Sequence, residues 1–127
     1  MKKVSEEKMY AVIRERFNEL SDHVYKVCNR DKAWLSNLPD EEYRAKCLHN
    51  DQCEVRRLYG RFMDAVNLFA DCEMLSCDEF LDYAHAGEMA QLEGNVAISH
   101  FYKGRRWYEE SYFESYPYML KNYLKNY

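Results

Sequence analysis

Glycine and proline are scarce in this chain, at four and two of 127 residues. These residues divide chains into turns, so their scarcity excludes a loop-rich, many-stranded fold and favours long helices with short connections. No run approaches the roughly 18 consecutive apolar residues of a membrane-spanning helix. The opening Met1-Lys2-Lys3 leads into Ser5-Glu6-Glu7 and not into an apolar stretch, so no secretory leader is expected. The five cysteines are odd in number and have no framework spacing, which points to a reducing, cytoplasmic setting without disulfides. Phosphate loops, nucleophile elbows, dinucleotide-binding glycine patterns and paired metal-binding carboxylates are all missing, so the chain is expected not to be an enzyme.

The absence with most functional content concerns one sign of charge. Residues 63–102 hold no Lys or Arg, yet they hold Asp64, Asp71, Glu73, Asp78, Glu79, Asp82, Glu88 and Glu93, a net of −8. The 62 residues before carry 13 basic and 11 acidic side chains, net +2. The 25 after carry 5 and 3, also net +2, and the three segments sum to the chain's −4. An acidic span of this kind repels nucleic acid and speeds encounter with a basic protein surface. Asp71, Glu73, Asp78, Glu79 and Asp82, around one turn, are the candidate partner-binding residues. The competing explanation is a solvated face, with Asp78 and Glu79 serving the start of a helix.

What is present in the sequence is helical periodicity. Met9, Ile13, Phe17, Leu20, Val24 and Val27 recur every three or four residues, predicting a helix over about 5–28 with Ser5 as N-cap. Residues 29–39 read as a connection that tucks Trp34, Leu35 and Leu38 onto the core. Asp40 should cap a short second helix, which His49-Asn50-Asp51 interrupts. Asp51-x-x-Glu54 then resembles a capping box for a third helix to about residue 73, with Val55, Leu58, Tyr59, Phe62, Val66 and Phe69 inward. Ser76-x-x-Glu79 opens a fourth, over about 77–92, with Phe80 and Leu81 in the core, and Gly94-Asn95 ends it. A last helix from about Val96 carries Tyr108, Tyr112 and Phe113. No segment alternates with a period of two, and no linker divides the chain. The expectation is an all-α, compact bundle of four to five helices in a single domain, 1–127.

Three further clusters merit attention. Cys47-x-His49-x-x-x-Cys53, with Cys28 as a fourth ligand, is a candidate structural zinc site if the helix breaks at Asn50-Asp51. Such a break would place Cys53 in a first turn, where the helix dipole favours thiolate. Against it stands the usual role of a free cysteine as a small core residue, which is also the reading for Cys72 and Cys77. His85-Ala-Gly-Glu88 lacks the companions that deaminases or di-iron bundles require. Lys103-Gly104-Arg105-Arg106-Trp107-Tyr108 joins basic and aromatic side chains and could hold a nucleic-acid strand, although Glu109, Glu110 and Glu114 follow at once.

These features favour a non-catalytic factor whose acidic face docks on another protein with a basic surface, one that handles nucleic acid, with no membrane role. Direct nucleic-acid binding through residues 103–108, and a small zinc protein, are the alternatives. In size, charge and fold class the chain is similar to small acidic helical proteins of phages and mobile elements, anti-CRISPR inhibitors among them. That similarity rests on no residue-level motif.

Overall fold

The computed structural model describes residues 2–104, with side chains from residue 5 onward. Four helices follow in order: α1 Lys2–Cys28, α2 Lys32–Ser36, α3 Glu41–Asp71 and α4 Cys77–Tyr102. There is no strand among the described residues, and the protein is an all-α bundle. No described helix is long and apolar enough to cross a membrane.

The three long helices pack against one another pairwise. The predicted α1 stripe, Met9, Ile13, Phe17, Leu20, Val24 and Val27, is buried, together with Ser21 and Cys28. The stripe meets Val55, Leu58, Phe62 and Val66 of α3, and the Phe17 and Phe62 rings pack edge-to-face at 5.5 Å. Full burial of one such side chain stabilises by about 1.5–3 kcal/mol. Helix α4 approaches closely because its inner face is built of small residues: Ala86, Gly87, Ala90, Gly94 and Ala97. A Cβ on Gly87 would lie 2.6 Å from the Phe62 ring, and one on Gly94 would lie 2.8 Å from Val24.

Caps fall partly where the sequence places them. The Asp40 side chain accepts from Tyr43 N at 2.7 Å. Ser76 and Glu79 form a reciprocal capping box. Leu35 of α2 is buried, while Trp34 stacks on Phe101 at 6.4 Å and lies under the Arg30 guanidinium at 4.7 Å. Ser5, by contrast, lies inside α1, not at its cap.

Two expected breaks do not occur. Helix α3 runs unbroken through His49-Asn50-Asp51, so the second and third predicted helices are one. Asp51 is no N-cap: it is buried at mid-helix and held by tertiary partners. Helix α4 likewise continues through Gly94-Asn95 to Tyr102, because Gly94 serves close packing on Val24 and not termination. The chain leaves α4 at Gly104 instead, at φ +73°, with its amide donating to Phe101 O. Leu81 is also misassigned: it is 57% exposed, and Phe69 and Phe80 are only half-buried. Tyr108, Tyr112 and Phe113 lie outside the described residues.

Candidate functional site

The acidic span occupies the end of α3, the turn at 72–76 and all of α4. Asp71, Glu73, Asp78 and Asp82 are exposed, as are Asp64 and Glu88. The ion pairs Arg30–Asp51, Lys46–Glu42, Arg57–Glu54 and Arg61–Glu19 all lie outside this span. Glu79 differs from its neighbours. Its carboxylate accepts from Tyr10 Oη at 2.6 Å and from Ser76 N at 3.0 Å, so it ties α4 to α1 and closes the capping box. Glu79 is therefore a structural residue.

Local energetics separate the remaining acids. Asp78 sits in the first turn of α4, where a negative charge suits the helix dipole. Asp71 and Glu73 sit at the opposite pole, in and just beyond the last turn of α3, and that turn holds no basic residue. Glu73 also has φ +60°. It occupies the left-handed position of a Schellman turn, with Glu73 N bonded to Ala70 O and Met74 N to Phe69 O. Glycine is favoured there, because a side chain in that conformation costs roughly 1–2 kcal/mol.

Exposed apolar residues share the acidic span. Leu81, His85, Glu88, Leu92 and Val96 recur at intervals of four, three, four and four along the outer side of α4, all exposed. Leu81 and Leu92 are 57% and 54% accessible, and Leu68 of α3 is exposed as well. His85 and Glu88 belong to this exposed face.

The four proposed zinc ligands are not brought together. In a continuous helix, residues 47 and 49 lie on nearly opposite sides, since each step turns about 100°. Cys47 is half-buried against the core, while His49 and Cys53 face solvent. Cys28 is buried at the end of α1, and its thiol is pushed up to about 12, first by burial and then by the nearby Asp51 charge. It is a poor thiolate donor. No group of three or more metal-binding side chains forms among the described residues. Cys53 is at mid-helix, so the helix-start dipole does not act on it. His49 Nε2 and Cys53 Sγ nonetheless lie 3.4 Å apart. Cys72 and Cys77 are exposed at the α3–α4 turn and do not pack in the core.

Sequence reasoning missed one buried polar cluster altogether. Arg30 donates from Nη1 to Asp51 Oδ2 at 2.7 Å, from Nη2 to Oδ1 at 3.2 Å, and from Nη1 to Tyr102 Oη at 3.0 Å. Tyr102 donates to Asp51 Oδ2, and Arg44 reaches the carbonyls of Leu35 and Tyr102 at 3.4 Å. Burial, then the bond to Asp51, raises the Tyr102 phenol well above its ordinary range. Burial works against the Arg30 charge, but its bonds to Asp51 outweigh this and strengthen its hold on the proton. The cluster ties the end of α1 to α3 and α4. Lys103 and Gly104 of the basic–aromatic patch are exposed at the end of α4, and Arg105, Arg106, Trp107 and Tyr108 lie outside the described residues.

No protein-family model, curated protein or solved structure matches the chain, so its chemistry is read from its own residues.

Proposed function

We propose that the chain is a non-catalytic binding factor whose acidic α3–α4 surface docks on a basic face of another protein. The partner class that fits is a nucleic-acid-handling protein, whose cationic groove the acids would occupy. An inhibitor of the kind made by phages or mobile elements is the biological setting this suggests. The observation that carries the reading is the placement of Asp71 and Glu73. Both oppose the α3 dipole, and Glu73 also holds an unfavourable backbone conformation. No ion pair among the described residues offsets either acid, whereas an electrostatic interface would. The exposed Leu81, Leu92 and Val96 would supply apolar contact between the charges, as interface cores do.

The test uses tagged full-length chain as bait in extract of its native host, beside a variant carrying Asp71→Lys, Glu73→Lys and Asp82→Lys. Glu79 is left intact because of its bonds to Tyr10 and Ser76. The expected result is a basic, nucleic-acid-binding protein held by the wild type and released as salt shortens the Debye length to about 3 Å at 1 M. The variant, equally helical and at least as stable, should lose it. Equal capture by both proteins, or retention that salt does not weaken, would place the interface elsewhere.

A further inference from the structure

We infer that His49 and Cys53 form a bidentate surface site for a thiophilic divalent cation such as zinc or cadmium. The inference does not depend on the docking role of Asp71 and Glu73, which sit at the opposite end of α3. It begins from the continuity of that helix. Residues four apart lie one turn above each other, so an unbroken α3 stacks the imidazole and the thiol on one exposed strip. Their donor atoms, Nε2 and Sγ, are 3.4 Å apart.

That distance is the relevant quantity. Zinc binds imidazole nitrogen at about 2.0–2.1 Å and thiolate sulfur at about 2.3 Å. Two such bonds at a tetrahedral angle of about 109° separate the donors by about 3.6 Å. The observed spacing falls short by only a few tenths of an ångström, so small side-chain rotations would admit the ion without moving the backbone. The backbone is also held in place: between the two ligands, Asp51 is anchored by Arg30 and Tyr102. A pre-positioned pair loses little entropy when it closes on a metal.

Chemistry selects the class of ion. One imidazole and one thiolate suit zinc, cadmium or cobalt and suit magnesium or calcium poorly. Both side chains are exposed, so entry is open and the released thiol proton passes to solvent. Arg56, one turn from Cys53, is exposed, while two other cations of this stretch are paired. Lys46 pairs with Glu42, and Arg57 holds Glu54, whose carboxylate sits below its ordinary range because of that bond. Two protein ligands leave two tetrahedral positions for water. Cys28 and Cys47 take no part, being turned toward the core.

Cobalt(II) titration of the reduced, full-length protein tests this. A thiolate-to-cobalt charge-transfer band should rise and saturate at one equivalent, and zinc should displace it. Cys53→Ser should abolish the band. His49→Ala should weaken binding by about 100-fold, since it removes the second arm of the chelate. Cys72→Ser, an exposed thiol elsewhere, should change nothing. Circular dichroism of each variant confirms that the helices persist. Failure of the band to form means that the contact is a thiol–imidazole hydrogen bond only. A band that survives Cys53→Ser, or that His49→Ala leaves unweakened, shows binding at other thiols and equally overturns the site.

Discussion

Replacing Asp51 by Asn separates two accounts of the same residue. As the N-cap of a helix starting at residue 52, Asp51 would be exchangeable with Asn at almost no cost, since both cap equally well. In the structure Asp51 lies inside α3 and receives two bonds from the Arg30 guanidinium and one from Tyr102 Oη. Asn removes the charge and turns an NH2 group toward a donor, either Arg30 or Tyr102. A hydrogen bond to a charged partner contributes about 1.5–3 kcal/mol when buried. Arg30 is 31% exposed, so its share is reduced by solvent screening. Losing the better part of two such bonds sets the expected cost at about 2–4 kcal/mol. Urea unfolding followed by far-ultraviolet circular dichroism would read this as a lower midpoint with an unchanged slope. Tyr102→Phe alone should cost about 1–2 kcal/mol, and the double variant should cost less than the sum, because the two side chains share one bond. A cost below about 0.5 kcal/mol for Asp51→Asn would refute the tertiary network and restore the capping account.

Other perturbations test the remaining parts of the fold. Phe62→Ala should destabilise by about 3–5 kcal/mol, since the ring is fully buried against Phe17 and Gly87; a loss under about 1 kcal/mol would put the core elsewhere. Gly60→Ala should stabilise by about 0.5–1 kcal/mol, because open space surrounds a Cβ in the middle of α3. Gly87→Ala should gain no such stability, since overpacking on Phe62 costs about 1–3 kcal/mol; equal gains at both glycines would contradict the close approach of α4. Glu73→Gly should stabilise by about 1 kcal/mol in thermal or urea unfolding, by relieving the left-handed side chain. Cys28 predicts a loss of stability in alkali. Its thiol stays protonated in the fold up to about pH 12 but ionises near 9 once unfolded. Its contribution is therefore intact below pH 9 and falls above it, by up to about 1.4 kcal/mol per pH unit. The Cys28→Ala variant should show a shallower alkaline slope, and an identical slope would refute the assignment.

The inner faces of the helices were legible because each is written locally. The α1 stripe from Met9 to Val27 needs only a period of 3.6, and the Asp40 cap and Ser76–Glu79 box need only three or four neighbouring residues. Helix ends inside α3 and α4 were misread for the opposite reason. Asn50-Asp51 and Gly94-Asn95 look like punctuation, but their roles are set by residues far along the chain: Arg30 and Tyr102 for Asp51, Val24 for Gly94. Once those partners are present, a helix-breaking preference of about 1 kcal/mol is outweighed by burial and bonding. The same error propagated to chemistry. A break at Asp51 gathers Cys47, His49 and Cys53 around a turn, whereas continuity divides them between two sides and leaves only His49 with Cys53.

Asp51 and Glu73 show how such departures are sorted. Each is an acid at odds with its local setting, one in the middle of a helix and one in the left-handed turn at a helix's negative end. Asp51 is compensated by a guanidinium and a phenol across the bundle, which assigns it to the fold. Glu73 faces solvent, and its neighbour Asp71 carries the same unfavourable sign toward the same dipole. No described Lys or Arg pairs with either. Local conflicts without compensation inside a fold concentrate at sites where the compensation comes from something bound. Reversing these two charges should therefore help the isolated protein and harm its complex. A gain in melting temperature accompanied by lost capture is the outcome that a purely solvating face does not produce. If Asp71→Lys and Glu73→Lys raise stability and leave capture intact, the conflict at this turn has no function in binding.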